Sequence, residues 1–244
     1  MKTIIIIPSR LSATRLPGKP LLKISGLSMI SHVFKKAEKA NIGEVVVATG
    51  DQEIFDDVKL NGGQVILTNK QHKTGTDRIY EAFKKINNPN IEFIMNLQGD
   101  EPLMNIDDIK NLNNHMIKKN CEIGTLASKI SNKGIYKNQN MVKVETKENL
   151  NSSNFPEAKN FMRTVLEMNE NIYHHLGIYC YQKETLKKFV SYNQTYSEIK
   201  NKLEQLRALN NSIKINVAKA KSSPIGVDTE EDFVAIKKIM EYKT

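Results

Sequence analysis

The stretch IIIIPSRLSATRLPGKPLL, residues 4–22, decides how the rest of the chain is read. Four isoleucines, Ile4 to Ile7, leave no polar face, which suits a strand buried on both sides of a parallel sheet. The run breaks at Pro8 into a segment that carries Arg10, Arg15 and Lys19. Pro17, Gly18 and Pro20 forbid regular structure there. A cationic, irregular segment directly after a central strand belongs at the C-terminal rim of the sheet. That rim is where open α/β sheets bind ligands.

The pattern continues outward. EVVVAT (44–49), QVILT (64–68) and EFIMNLQ (92–98) read as further buried strands. Between them, SMISHVFKKAEKA (28–40) and TDRIYEAFKKI (76–86) carry apolar residues at helical spacing. DQEIFDDVKLNG, from residue 51, reads as a helix with Asp51 as its N-cap and Gly62 and Gly63 at its end. The expected fold is α/β: a mostly parallel, Rossmann-like sheet covered by helices on both faces. The second half is less regular. NMVKVET (140–146), HHLGIYCYQ (174–182) and IKINVAKA (213–220) read as strands, and KENLNSSNFPEAKNF (147–161) as a polar loop. SEIKNKLEQLRALNN (197–211) reads as one helix. TEEDFVAIKKIMEYK (229–243) reads as a last helix opened by a Thr229–Asp232 capping box.

The 244 residues are 39% hydrophobic and 26% charged, the balance of a globular soluble chain. The opening apolar run is too short for a signal peptide or a membrane span, so a cytoplasmic protein is expected. Cys121 and Cys180 show no CxxC spacing and are expected as buried free thiols. The formal net charge is +9. Its lysines are interleaved with acids and form no long run, so solvated helix faces are expected rather than a nucleic-acid surface. His32, His72 and His115 are expected on helix or loop surfaces.

Two acids join the cationic loop. Asp100 in NLQGDEP (96–102) follows the fourth strand, and Asp228 in GVDTEEDF (226–233) precedes the last helix. Each is well placed for a turn or a cap. Together with a cationic loop on a parallel-sheet rim they describe Mg2+-assisted phosphoryl chemistry. The loop is neither GxxxxGK[ST] nor GxGxxG.

RLPGKPLL, TGTDRI, NLQGDEP, HHLGIYCY, LEQLRAL and GVDTEEDF occur in the order found in the 3-deoxy-manno-octulosonate cytidylyltransferase (CMP-Kdo synthetase) family, which the chain resembles over nearly its whole length. The resemblance implies CTP and an acid sugar (Kdo) as substrates, Mg2+, a homodimer and a place in lipopolysaccharide synthesis. It implies one nucleotidyltransferase domain over 1–244, with residues 126–195 including a sugar- and dimer-side excursion. Arg10, Arg15 and Lys19 fall on its triphosphate-binding positions, and Thr49, Gly75 and Arg78 in its nucleotide pocket. Asp100 and Asp228 fall on its metal-binding acids, which with Lys19 form the implied catalytic set. Gln98 falls on a substrate-contacting position, and His175, Tyr179, Glu204 and Gln205 on the sugar side. Read as residues alone, Arg78 has Glu81 and Glu92 as possible partners, Glu204 can be a helix-face ion-pair partner, and His174 is expected as a structural neighbour.

The chain departs from the family pattern in places. NFMRTVLE (160–167) stands where the family has YFSRxxIP, keeping Arg163, whose guanidinium suits a carboxylate. Asn160, Met162, Leu166 and Glu167 replace the rest. ATGD (48–51) stands for ATDD, and Ser9 replaces an alanine. These changes leave open a related acid sugar, such as 8-amino-Kdo or a nonulosonic acid. A non-catalytic nucleotide-binding paralogue is the alternative outside enzymes.

Overall fold

The computed structural model describes residues 2–12, 15–165, 167, 169–224 and 226–242. The chain forms two compact units, Met1–Ile109 with Pro224–Thr244, and Lys110–Ser223. Among the described residues no helix is long and apolar enough to cross a membrane.

In the first unit, β1 (Thr3–Ser9) carries the four isoleucines, each wholly buried. Burying each stabilises the fold by about 1.5–3 kcal/mol. After a 3-10 turn at Lys19–Leu21 come β2 (Lys23–Ile24) and β3 (Leu27–Ser28), a hairpin. Helix α1 (Met29–Ala40) starts at Ser28, whose hydroxyl accepts the Ser31 N–H, and stops at left-handed Asn41. β4 (Gly43–Thr49), α2 (Gln52–Leu60), β5 (Val65–Leu67), α3 (Gly75–Ile86) and β6 (Phe93–Asn96) follow, and α4 (Ile106–Lys119) leads out.

The strand order here is β6-β1-β4-β5, every pair parallel. Gly43 permits the register, since a Cβ there would lie 1.8 Å from the Thr3 carbonyl oxygen. Alternate residues of β1 meet different helices. Pro8 lies against Gly75 at the start of α3, while Ile7 and Ile30 of α1 both lie beside Gly99. Helices therefore cover both faces, as the unbroken apolar run requires.

The second unit holds β7 (Ile123–Ser128), α5 (Gly134–Lys137), β8 (Lys143–Thr146), β9 (Ala158–Met162) and β10 (Ile172–Gln182). It continues with α6 (Lys183–Ser191), α7 (Tyr196–Asn201), α8 (Leu206–Asn210) and β11 (Ile215–Lys219). β11 runs parallel to β7, whereas β7–β10, β10–β8 and β8–β9 are antiparallel. Cys121 and Cys180 are free thiols; Cys180 is buried and Cys121 half-buried.

Two expectations for this unit are corrected. The stretch 147–161 is not all loop, because Ala158 and Phe161 turn inward and pair β9 with β8. The single helix over 197–211 is two, α7 and α8, parted at left-handed Lys202. Glu198 and Arg207 form a buried ion pair at 2.6 Å. A continuous helix would set these residues about 13.5 Å apart along its axis and on opposite faces. The break at Lys202 lets them meet.

The chain closes in the first unit with α9 (Glu230–Glu241), opened by the expected Thr229–Asp232 capping box. The expected end of this helix at Lys243, like the departure at Leu166, lies outside the described residues. Val227 and Ile236 pack with Ile24 and Met29, and Leu16 of the opening loop joins that cluster.

Candidate active site

The rim of the first unit gathers four segments around a cleft of about 360 Å³. They are the loop after β1, the β5–α3 loop with the start of α3, the turn after β6, and Asp228 ahead of α9. Left-handed Gly18 and Pro20 set up the 3-10 turn that presents Lys19. Leu16 anchors the loop in the apolar cluster. The Val227 N–H donates to the Asp100 carbonyl at 2.9 Å, tying the β6 turn to the approach to α9.

Lys19 Nζ lies 2.6 Å from Asp100 Oδ2, 3.8 Å from Asp228 Oδ1, and donates to the Val227 carbonyl at 2.7 Å. Arg15 Nη2 meets Asp228 Oδ1 at 3.0 Å. Capping does not consume Asp228: the Asp232 carboxylate accepts the N–H groups of both Asp228 and Thr229. Arg10, Arg15, Lys19, Gly75, Arg78, Gln98, Asp100 and Asp228 all line this one cleft. Thr49 is not on its wall; it is wholly buried, and its hydroxyl accepts the Asp51 N–H. Gln98 donates from its side chain to Asn96 Oδ1 at 3.1 Å.

Arg78 pairs with neither Glu81 nor Glu92. It is buried and donates to Thr68 Oγ1 at 2.6 Å and to the carbonyls of Asn69 and Lys70. Burial lowers its pKa, opposed by Asp51 and Glu81. Glu92 instead pairs with Lys2. Glu81 binds His72 and accepts from Lys85 and the Asn69 N–H. Burial opposes its ionisation, but these hydrogen bonds outweigh it and hold Glu81 at about 2. His72, expected from sequence only as a surface histidine, and Thr74, not assigned a role, also line the cleft. Nothing in a spacing pattern marks a loop histidine that a helix carboxylate reaches back to hold.

The remaining residues lie in the second unit. Arg163 donates to three main-chain carbonyls: Gln139 and Lys202, both at 2.9 Å, and Asn201 at 2.8 Å. His175 Nε2 is 3.0 Å from Thr125 Oγ1, and its ring is 5.4 Å from that of Tyr179. Burial first, then neighbouring His174, pulls His175 down to about 3. His174 meets Ser223 Oγ at 2.7 Å. Burial and then Lys143 pull it to about 4. Glu204 stands 3.8 Å from Arg207, and Gln205 precedes α8.

Among the described residues no three His, Cys, Asp or Glu side chains stand together as a metal cage. Two carboxylates converging on one ammonium suit a hard divalent cation that takes its other ligands from water and phosphate. A parallel-sheet rim that opposes cations to paired carboxylates defines a site for phosphoryl-group chemistry on a nucleotide.

Comparison with known proteins agrees. The cytidylyltransferase family model matches residues 4–215. The 3-deoxy-manno-octulosonate cytidylyltransferase of Rhodopseudomonas palustris (strain BisB18) is 40% identical over 99% of this chain and 98% of its own length. That of Bartonella tribocorum (strain CIP 105476 / IBS 506) is 39% identical over 98% of this chain and 99% of its own. The solved structure of CMP:2-keto-3-deoxy-manno-octonic acid synthetase complexed with CTP superposes with a TM-score of 0.90. It is 32% identical, covering 100% of both chains. UDP-glucose pyrophosphorylase, 14% identical with a TM-score of 0.75, shares the fold. The chain belongs to the cytidylyltransferase family, among the 3-deoxy-manno-octulosonate cytidylyltransferases.

Proposed function

We propose that this enzyme transfers CMP from CTP to the anomeric hydroxyl of Kdo and releases pyrophosphate. The anomeric oxygen attacks the α-phosphorus, the bond from that phosphorus to the β-phosphate oxygen breaks, and the hydroxyl proton passes to solvent. No covalent enzyme intermediate is needed, so the chain's work is positioning and charge stabilisation. The observation that carries this reading is the convergence of Asp100 and Asp228 on Lys19, with Arg15 beside them. Arg10, Arg15 and Lys19 bind the triphosphate and stabilise charge on departing pyrophosphate. Asp100 and Asp228 would hold Mg2+, which neutralises the α-phosphate when bound. Thr74, Gly75 and Gln98 shape the nucleotide wall. The same reading carries a homodimer acting in the cytoplasm in lipopolysaccharide synthesis.

The departures at Asn160, Met162 and Glu167 favour a second reading in which the acceptor is a related acid sugar. The engagement of Arg163 with three carbonyls adds to it, because a guanidinium so occupied is not poised for a sugar carboxylate. The test is pyrophosphate release with CTP and Mg2+ against Kdo, 8-amino-Kdo and a nonulosonic acid, with no-sugar and EDTA controls. Release with Kdo supports the first reading, and release only with another acid moves the acceptor. CTP binding without release from any sugar would leave a non-catalytic nucleotide binder.

A further inference from the structure

Asp51 stands at the N-cap position of α2, yet its side chain makes no cap bond to that helix. It is only 5% exposed, and its carboxylate is committed elsewhere. Oδ2 accepts the Leu11 N–H at 2.8 Å, and Oδ1 pairs with Lys70 Nζ at 3.1 Å. Leu11 follows Arg10 and opens the segment that leads to Arg15 and Lys19. One buried carboxylate thus ties the cationic loop after β1 to the end of β4 and to the β5–α3 loop.

Gly50 makes room for this arrangement. A Cβ there would lie 2.7 Å from Lys70 Cα and 3.1 Å from Arg78 Nη1. The β5–α3 loop therefore passes directly over the end of β4, bringing Lys70 to Asp51. The same loop supplies the Asn69 and Lys70 carbonyls that hold Arg78. A helix cap is a favourable use of an aspartate at this position. Its diversion to the Leu11 N–H means that the backbone bend at Leu11 is what the residue secures.

We propose that Asp51 is a positioning residue for nucleotide binding. It fixes the bend at Leu11, so that Arg10 and the cations beyond it meet the triphosphate already arranged. This inference rests on the nucleotidyl-transfer reading. Preorganised donors lose less on binding than mobile ones, so loosening the bend weakens nucleotide binding and leaves the sugar untouched.

The experiment compares wild type, Asp51→Ala and Asp51→Asn in CTP and sugar titrations, with CTP affinity by calorimetry and urea unfolding alongside. Asp51→Ala should raise the KM and Kd for CTP about tenfold, the order set by a lost charge-assisted hydrogen bond, with the sugar KM unchanged. Asp51→Asn, whose amide oxygen can still accept the Leu11 N–H, should stay within about threefold of wild type on the same scale. Unchanged CTP affinity in Asp51→Ala overturns the proposal. So does a fall in kcat at constant KM that tracks the folded fraction, which would make Asp51 a stability residue alone. Should Asp51→Ala not fold, Asp51→Ser and Asp51→Asn carry the comparison, with Ser weakened and Asn near wild type; no difference between them overturns it. Wild type that binds CTP but releases no pyrophosphate with any sugar defeats the reaction, while calorimetry still decides the role of Asp51. Wild type that binds no CTP defeats both.

Discussion

Lys19 Nζ and Asp100 Oδ2 meet at 2.6 Å across the rim of the first unit, joining the loop after β1 to the turn after β6. The two residues are far apart in sequence, and the parallel sheet brings their strand ends side by side. Under the proposed nucleotidyl transfer, this contact would set a cation for the triphosphate beside a carboxylate for Mg2+. Lys19→Met and Asp100→Ala should each lower kcat/KM about 10²–10³-fold, the order for one preorganised electrostatic group. Circular dichroism should be unchanged. Activity within twofold of wild type in either variant would remove that residue from the chemistry.

Arg163 should act first on stability. Its guanidinium clamps the carbonyls of Gln139, Asn201 and Lys202. Arg163→Ala should cost about 2 kcal/mol in urea unfolding, since charged donors to carbonyls contribute more than neutral ones. A raised sugar KM with no loss of stability would instead return Arg163 to the sugar carboxylate.

The buried pair Glu198–Arg207 predicts a larger loss. Arg207 also stacks over the Phe189 ring, 4.7 Å from its centroid. Glu198→Gln removes the carboxylate that meets the buried Arg207 guanidinium at 2.6 Å and should cost about 3 kcal/mol, read from the urea midpoint at constant slope. A change below about 0.5 kcal/mol would mean that water reaches the pair.

Acid should destabilise the protein before its carboxylates titrate. His174 and His175 lie at about 4 and about 3 in the fold, against 6.5 for the free side chain. The unfolded chain therefore binds more protons below pH 6.5. Stability is full above that value and falls as pH drops toward the folded values. Between pH 7 and pH 5 the loss should be about 2 kcal/mol per histidine. Urea midpoints at the two pH values measure it. His175→Gln should flatten the slope, and an unaltered slope would assign the effect to other groups.

Much of the first unit was legible because its signals are local. Four consecutive isoleucines can only be satisfied in a strand covered on both faces, and β1 is such a strand. The Thr229–Asp232 box was readable from residue type and spacing, since capping needs only a few neighbouring residues. The β2–β3 hairpin, α4, β7 and α6 gave weaker signals, because short pairs and half-polar helices lack a clean period. The reading failed over 197–211, where helical spacing is good on both sides of Lys202. What the spacing does not reveal is the buried Glu198–Arg207 pair, which a continuous helix would hold apart.

The candidate site divides in the same way. Sequence by itself determined the α/β character, the cationic loop after β1, and the presence of Asp100 and Asp228 after strand and before helix. Those facts depend on residue type and on neighbours a few positions away. Only the tertiary structure decided that Lys19 would meet both acids, that Asp51 would abandon its helix for the Leu11 N–H, and that Arg163 would clamp carbonyls. Each is a contact between distant segments, and such contacts arise from sheet register and loop path, which local propensity does not encode.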